Sequence, residues 1–174
     1  VMNIGFVMYD WNTVKPKLDS TIRLIQESVS RGHRVSLIYP NEIAIRRTMV
    51  WANCRIVSST SPNAQDNLEF YKSCSLHEEL IPLNNHQVIF FRDNPPLDNH
   101  VLNFMDTLEN EVFFINSISG LRKANNKIYP ATLASLHDND DPEKRLIPLT
   151  TVSRNIKFLE TVVNGIYLFS GSSV

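Results

Sequence analysis

Glycine is scarce in this chain, and the few glycines exclude two common nucleotide-binding motifs. Only 5 of the 174 residues are glycine, and none stands in a GxGxxG or GxxxxGK pattern. The first pattern lets the backbone approach a pyrophosphate, and the second wraps ATP phosphates, so both require glycine at fixed spacing. The sequence therefore excludes a dinucleotide fingerprint and a Walker P-loop.

Cysteine, long apolar runs and an excess of one charge are also missing. The chain has 2 cysteines, Cys54 and Cys74, and a formal net charge of −1. Two isolated cysteines and the lack of a signal-peptide pattern predict a cytoplasmic protein. No apolar run reaches the roughly 18 residues of a membrane span. With no basic surface to attract nucleic acid or lipid, we expect small-molecule partners, and the oligomeric state, including a homo-oligomer, stays open.

Metal-binding and hydrolase motifs are absent too. The histidines show neither HExxH nor paired metal spacing, and no Gly-x-Ser-x-Gly elbow exists. The acidic stretch at 138–141 fails the calcium-loop pattern because Pro142 takes the fifth loop position and no glycine follows. We therefore predict no metal ligand in this chain.

Alternating strand and helix patterns predict an α/β fold with a parallel sheet. Residues 2–9 and 35–39 are apolar runs typical of strands, and a helix with Asp19 or Ser20 as its cap and Gly32 as its end lies between them. The apolar positions of that helix are Leu18, Ile22, Ile25 and Val29. Further strands are predicted at 88–92 and 112–115, with a helix after Asp98 between them.

The sequence also predicts which strand residues are buried and where the remaining strands and helices lie. Val7, Ile38, Phe90 and Phe114 should be buried in central strands. Residues 41–85 suggest short strands or an excursion from the sheet. A helix that includes Leu121 should break or kink at Pro130. Strands at 146–152 and 166–169 should flank a helix at 154–163 capped by Ser153.

Arg92 is the first candidate functional residue. It ends the apolar run Val88–Phe91 and is followed by Asp93, Asn94 and a Pro-Pro pair that cannot continue a strand. Open parallel sheets bind ligands at the carboxyl ends of their strands, and a guanidinium there can hold a carboxylate or phosphate with two hydrogen bonds. The alternative is a structural ion pair with Asp93 or Asp98.

Three groups of residues resemble the prokaryotic glutathione synthetases of the ATP-grasp ligase superfamily. The first contains Arg92, Asp93, Pro95, Pro96 and Asp98; the second contains Asn116, Leu121, Arg122 and 125–129; the third contains 4–8, Asp10, 17–21 and 31–33. The resemblance covers about residues 2–40 and 86–170 and is weak between them. The Arg-Asp-x-Pro-Pro and Leu-Arg-x-x-Asn-x-Lys-x-Tyr patterns are fairly specific only in combination.

The resemblance implies a fold, an activity and two cofactors. Residues 1–122 would be a Rossmann-like pre-ATP-grasp domain that binds substrate, and 123–174 an incomplete start of the ATP-grasp domain. The activity would be ATP- and magnesium-dependent joining of a carboxylate to an amine through an acyl phosphate, with γ-glutamylcysteine and glycine as substrates. Other amino-acid substrates stay open.

The resemblance also assigns roles, each with an alternative. Arg92 would be the catalytic and substrate-binding cation, and Lys127 would reach the nucleotide unless it belongs to a solvated basic helix face. Asp10, Asp19 and Ser20 would bind substrate, and the alternative is that Asp19 or Ser20 simply caps the helix. Asn116 would bind substrate or serve as a turn residue.

The ATP-grasp region is shorter in this sequence than in the family. Residues 161–169 run from the end of a helix straight into a strand-like segment, without the lysine-bearing strand and most of the glycine-rich loop that the family has between them. We expect that residues are missing from the sequence or that the chain is truncated, and a degenerate natural protein is the third alternative. The chain by itself should bind ATP weakly and should not complete ligation. A non-catalytic α/β domain that binds a ligand or partner remains the alternative function.

Overall fold

A seven-stranded mixed sheet dominates the fold. The structure is a computed structural model that describes residues 1–59, 64–133 and 150–165. The chain divides into two compact units, Val1–Arg122 and Lys123–Val174, and the sheet belongs to the first. None of the helices within the described ranges is long and apolar enough to span a membrane.

Seven strands and four helices make up this α/β region. The strands are β1 (Asn3–Val7), β2 (Arg34–Ile38), β3 (Ile43–Arg46), β4 (Met49–Ser59), β5 (Ser75–Pro82), β6 (Val88–Phe91) and β7 (Phe113–Ile115). The helices are α1 (Ser20–Ser30), α2 (Asn67–Ser73), α3 (Asn99–Asp106) and α4 (Ile118–Ala124). The strand order is β3-β4-β2-β1-β6-β7, and β5, which lies outside this order, also pairs with β4. The predicted α/β class is confirmed.

Strand β1 lies at the centre of a parallel block formed by β2, β1, β6 and β7. It pairs with β2 from Asn3↔Arg34 onward and with β6 from Ile4↔Val88 onward. Gly5 makes this close packing possible, because a Cβ there would lie 2.8 Å from Cδ1 of Ile38. A larger residue at position 5 would therefore force the neighbouring side chains to move.

Strands β3, β4 and β5 form an antiparallel region that the sequence did not predict as such. Strand β4 pairs antiparallel with β2, β3 and β5, so the sheet is mixed rather than wholly parallel. Its inward side chains are Val50, Ala52, Cys54 and Ile56, and small or thiol side chains gave a weak apolar signal. Residues 41–85 contain one 11-residue strand where the sequence suggested short strands or an excursion.

The two faces of the sheet carry separate apolar clusters. On one face Val7, Ile38 and Phe114 pack in a cluster that includes residues of α3, and on the other Phe6 packs in a cluster that includes Ile22 of α1. The burial of Val7, Ile38 and Phe114 is confirmed. Phe90 is only partly buried and stacks on Phe6, with ring centroids 4.9 Å apart. Phe114 lies on the edge strand β7, so its prediction as a central-strand residue was wrong.

The amino ends of the parallel strands carry a set of residues that we call the amino-end cluster: the buried Ser36, Leu83 and His86, and the solvent-accessible Arg34 and Glu79. Nε2 of His86 lies 2.5 Å from Oγ of Ser36, and its Nδ1 lies 3.0 Å from the carbonyl oxygen of Leu83. That carbonyl can only accept, so Nδ1 carries the proton and the Ser36 hydroxyl donates to Nε2. Arg34 and Glu79 form an ion pair of 2.5 Å at the rim of a cavity of about 110 Å³.

The second unit contains α5 (Ile128–Leu133) and α6 (Ile156–Val163) in its described part. Pro130 does not break a helix: it occupies the first turn of α5, where its missing N–H would have no intrahelical partner. Asn155, not Ser153, caps α6, because its side chain accepts from the backbone N–H of Phe158 at 3.2 Å. Residues 150–152 lie outside any strand, whereas 146–149 and the predicted strand 166–169 lie outside the described residues.

Candidate functional site

The carboxyl ends of β1, β2, β6 and β7 lie at one edge of the sheet, because these strands are parallel. Arg92 follows β6 directly, and its backbone N–H donates to the carbonyl oxygen of Val7 at 2.8 Å. The backbone of Arg92 is thus fixed to the end of the central strand. Its side chain starts from a rigid position at the edge where parallel sheets bind ligands.

The guanidinium of Arg92 is held by two hydroxyl groups. Nε donates to Oγ1 of Thr21 at 3.2 Å, and Nη2 donates to Oγ of Ser20 at 3.0 Å. Asp93 accepts from the backbone N–H of Asn94, and Asp98 caps α3 by accepting from His100, so neither predicted ion-pair partner is paired with Arg92. Among the described residues, Arg92 makes no ion pair, and this half-buried cation keeps N–H donors available.

Asp19 and Tyr9 form the neighbouring wall. Oδ1 of Asp19 accepts from the backbone N–H of Thr21 at 2.7 Å and so caps α1, as predicted for this helix. The hydroxyl of Tyr9 donates to Oδ2 of the same carboxylate. Both carboxylate oxygens are therefore occupied within the protein.

Asp10 supports a turn beside this wall. Its Oδ1 accepts from the backbone N–H of Asn12 at 2.8 Å and caps the short 3₁₀ turn Trp11–Thr13. The hydroxyl of Tyr39 accepts from the N–H of Trp11 at 3.1 Å, and burial raises the pKa of Tyr39. The turn is thus fixed to the end of β2, and in this structure Asp10 has the capping role.

These residues enclose an open cleft of about 460 Å³. Its lining residues are Tyr9, Thr13, Lys15, Leu18, Asp19, Ser20, Thr21, Arg92 and Asn94. Of the predicted site residues, the structure brings Asp19, Ser20 and Arg92 together here. Leu18 is exposed at the cleft instead of belonging to the buried face of α1, because the helix begins two residues later.

Sequence reasoning missed Tyr9, Lys15, Thr21 and Asn94 as cleft residues. Their positions offered a usable signal, because each lies close to a predicted strand end or helix start. The signal was incomplete, since nothing local shows which side chains of a loop point toward Arg92. Thr21 in particular is buried, so its contact with Arg92 depends on packing between β6 and α1.

Asp10, Asn116 and Lys127 do not line this cleft. Asn116 is exposed just after β7, at the same edge of the sheet. Lys127 is exposed on the turn before α5, in the second unit. Asp93 lies next to Arg92, and burial raises the pKa of its carboxyl group, with the nearby charge of Asp98 acting in the same direction.

Residues 2–122 match the family model described as the N-terminal domain of prokaryotic glutathione synthetase. The chain belongs to the prokaryotic glutathione synthetase family. The match covers the whole sheet and every cleft residue, so the site just described lies within the part that defines the family.

Individual glutathione synthetases match over a longer stretch than the family model. The chain is 26% identical to the glutathione synthetase of Buchnera aphidicola over 159 residues, which are 89% of this chain and 45% of that protein. It is 25% identical to that of Vibrio cholerae over 158 residues, 88% of this chain and 45% of that protein. The chain therefore spans less than half the length of the curated glutathione synthetases that it matches.

All but one of the predicted site residues lie within the family match. Asp10, Asp19, Ser20, Arg92 and Asn116 lie within the matched residues 2–122, and Lys127 lies beyond them. Within the described part of the chain, no group of three or more His, Cys, Asp or Glu side chains is arranged to hold a metal ion.

Proposed function

We propose that this chain is the substrate-binding part of an ATP-dependent carboxylate–amine ligase of glutathione synthesis. In this proposal the complete enzyme joins γ-glutamylcysteine to glycine through an acyl phosphate. The observation that supports it best is the position of Arg92 at the carboxyl edge of the sheet, beside an open cleft. Its half-buried side chain has only hydroxyl partners among the described residues. Membership of the family makes glutathione synthesis the pathway that this site fits.

The cleft suits the carboxylates of a γ-glutamyl dipeptide. Arg92 and Lys15 place two cations in its wall, against the single carboxylate of Asp19. The hydroxyls of Ser20 and Thr21 orient the guanidinium from one side and leave its remaining N–H groups for a ligand. A fixed, charge-assisted pair of this kind contributes about 1.5–3 kcal/mol to binding.

ATP and magnesium belong to the proposal for the complete enzyme, and the described residues of this chain contain few groups that could bind them. Lys127 is the residue proposed to contact the nucleotide, as a compact cation toward phosphate. The described residues do not fit a magnesium site, because they contain no cluster of metal-binding side chains.

The two units receive different roles in this proposal. Residues 1–122 would bind the dipeptide, with Arg92 as the catalytic cation that neutralises its carboxylate, and 123–174 would begin the ATP-grasp domain. The chain by itself should bind magnesium-ATP weakly, and micromolar affinity measured by calorimetry would contradict this. Asp10, Asp19, Ser20 and Asn116 would complete the rim of the substrate site.

Titration calorimetry with γ-glutamylcysteine tests the proposal directly. Arg92→Ala should weaken binding by about 1.5–3 kcal/mol while the melting temperature stays close to that of the wild type, because Arg92 makes no ion pair within the described residues. Arg34→Ala is the matched control, since it removes an arginine from the opposite end of the same sheet. Arg92→Lys should restore binding only partly, because an ammonium group cannot reproduce the planar fork.

The complete enzyme extends the test to catalysis. There Arg92→Ala should lower kcat/KM by the equivalent of roughly 2–4 kcal/mol without unfolding the protein. A structural role predicts the reverse, a lower melting temperature with near-normal turnover by the folded fraction. Failure of the wild-type chain to bind the dipeptide would instead favour a non-catalytic binding domain.

A further inference from the structure

The carboxylate of Asp19 lies beside the cation that the proposed site needs. Asp19 and Arg92 share Thr21 as a partner: Asp19 accepts from its backbone N–H at 2.7 Å, and Arg92 donates to its hydroxyl at 3.2 Å. Arg92 also donates to the hydroxyl of Ser20, the residue after Asp19. An aspartate this close would ordinarily pair with the guanidinium, since a guanidinium binds a carboxylate more strongly than it binds a neutral hydroxyl.

Tyr9 accounts for the absence of this pair. Capping α1 uses only Oδ1 of Asp19, which leaves Oδ2 able to accept another donor. The hydroxyl of Tyr9 occupies Oδ2. The backbone of Asp19 is held separately, because its carbonyl oxygen accepts from Nδ2 of Asn67 at 3.4 Å. The helix cap holds Oδ1, and the direction in which Oδ2 points thus depends on the Tyr9 hydroxyl.

We infer that Tyr9 is a positioning residue, which holds the Asp19 carboxylate away from Arg92 and so keeps the guanidinium open for an anionic substrate. The inference rests on the proposed function for its ligand, a γ-glutamyl dipeptide. Tyr9 itself need not touch that ligand. Its effect on binding passes through the charge of Asp19.

A double-mutant cycle separates this role from direct contact. Tyr9→Phe removes the hydroxyl and should weaken γ-glutamylcysteine binding about tenfold in calorimetry, because Asp19 then competes for Arg92. Asp19→Asn retains a good helix cap but no charge, so Tyr9→Phe in that background should leave the affinity unchanged. Tyr71→Phe is the matched control, since it deletes a hydroxyl that donates to Trp11 outside the cleft.

A second measurement needs no ligand. The ¹H–¹⁵N resonance of Nε in Arg92 reports the partner of the guanidinium, so Tyr9→Phe should shift it as a carboxylate replaces a hydroxyl. In the Asp19→Asn background the same substitution should leave it in place. If the wild type does not bind the dipeptide, the proposed function fails and this resonance still decides the role of Tyr9.

Two results would overturn the inference. One is an equal loss of affinity on Tyr9→Phe with and without the Asp19→Asn substitution, which would show that the hydroxyl contacts the ligand. The other is an unchanged Arg92 resonance in Tyr9→Phe, which would show that the carboxylate does not move toward the guanidinium. A shift and a loss of affinity that both require the aspartate would support it.

Discussion

Each end of the parallel block has an arginine, but the two arginines differ in their partners among the described residues. At the amino ends, Arg34 pairs with Glu79, and His86 is bonded to both Ser36 and Leu83. At the carboxyl ends, the side chain of Arg92 contacts, among the described residues, only the hydroxyls of Ser20 and Thr21. The cavity at the amino ends is about 110 Å³, and the cleft at the carboxyl ends is about 460 Å³.

The difference indicates how a binding site can be told from a structural cluster with the same residue types. At the amino ends each of these polar groups meets another protein group, so the cluster stabilises the fold and leaves little for a ligand. At the carboxyl ends a cation is held in place without being neutralised. Its remaining capacity for hydrogen bonds is what a ligand would use.

Removing the imidazole of His86 should cause the largest loss of stability among the changes that test this comparison. His86→Ala leaves the buried Ser36 hydroxyl without its partner and opens a void, so it should lower the free energy of unfolding by about 3 kcal/mol. Urea denaturation measures this, with the exposed His100→Ala as the control. The folded variant should bind γ-glutamylcysteine normally. Weakened binding at unchanged stability would contradict the assignment of structural and ligand-binding roles to the two ends.

The second-largest loss of stability should come from lowering the pH, which acts on His86 in the amino-end cluster. Burial lowers the pKa of His86 below its ordinary value of 6.5, and the nearby charge of Arg34 acts in the same direction. The unfolded chain then binds more protons, so this contribution to stability is complete above about pH 6.5 and is lost as the pH falls below that value. Urea denaturation across this range should show a smaller loss in His86→Gln than in the wild type. Equal losses in the two proteins would contradict this assignment.

The smallest change in stability should come from a turn that lies at neither end of the parallel block. Arg47 and Thr48 connect β3 to β4 with φ of 51° and 66°, the two positive values of a type I′ turn that favours Asn-Gly. A β-branched residue is strained there. Changing Arg47→Asn and Thr48→Gly together should raise the free energy of unfolding by about 1 kcal/mol. Thr48→Ala alone should gain little, and dipeptide binding should not change in either variant.

The parallel block was predictable because its signals are local. The apolar run Val88–Phe91 ends at a Pro-Pro pair, Asp19 caps α1, and Gly32 adopts the positive φ that ends this helix. The antiparallel region was not predictable in the same way. Strand β4 alternates buried Ala52 and Cys54 with partly exposed Asn53 and Arg55, a pattern with little apolar contrast.

The candidate site was predictable in part for the same reason. A strand end places Arg92, and a helix cap places Asp19, so both follow from short stretches of sequence. The pairing of Tyr9 with Asp19 and of Thr21 with Arg92 depends on how β1, α1 and β6 pack together. No local pattern contains that information, and it is this packing that decides whether the cation stays open.

The pairing of β1 with β6 also determines when the site can exist during folding. Arg92 and Thr21 are 71 residues apart in the chain, so their contact requires the closure of a long loop, whose entropy must be overcome first. Contacts of such sequence separation slow folding, and a partly folded chain without this strand pair has no cleft. A ligand that binds here would therefore stabilise only the fully closed topology, by a free energy that grows with the logarithm of its concentration relative to its Kd.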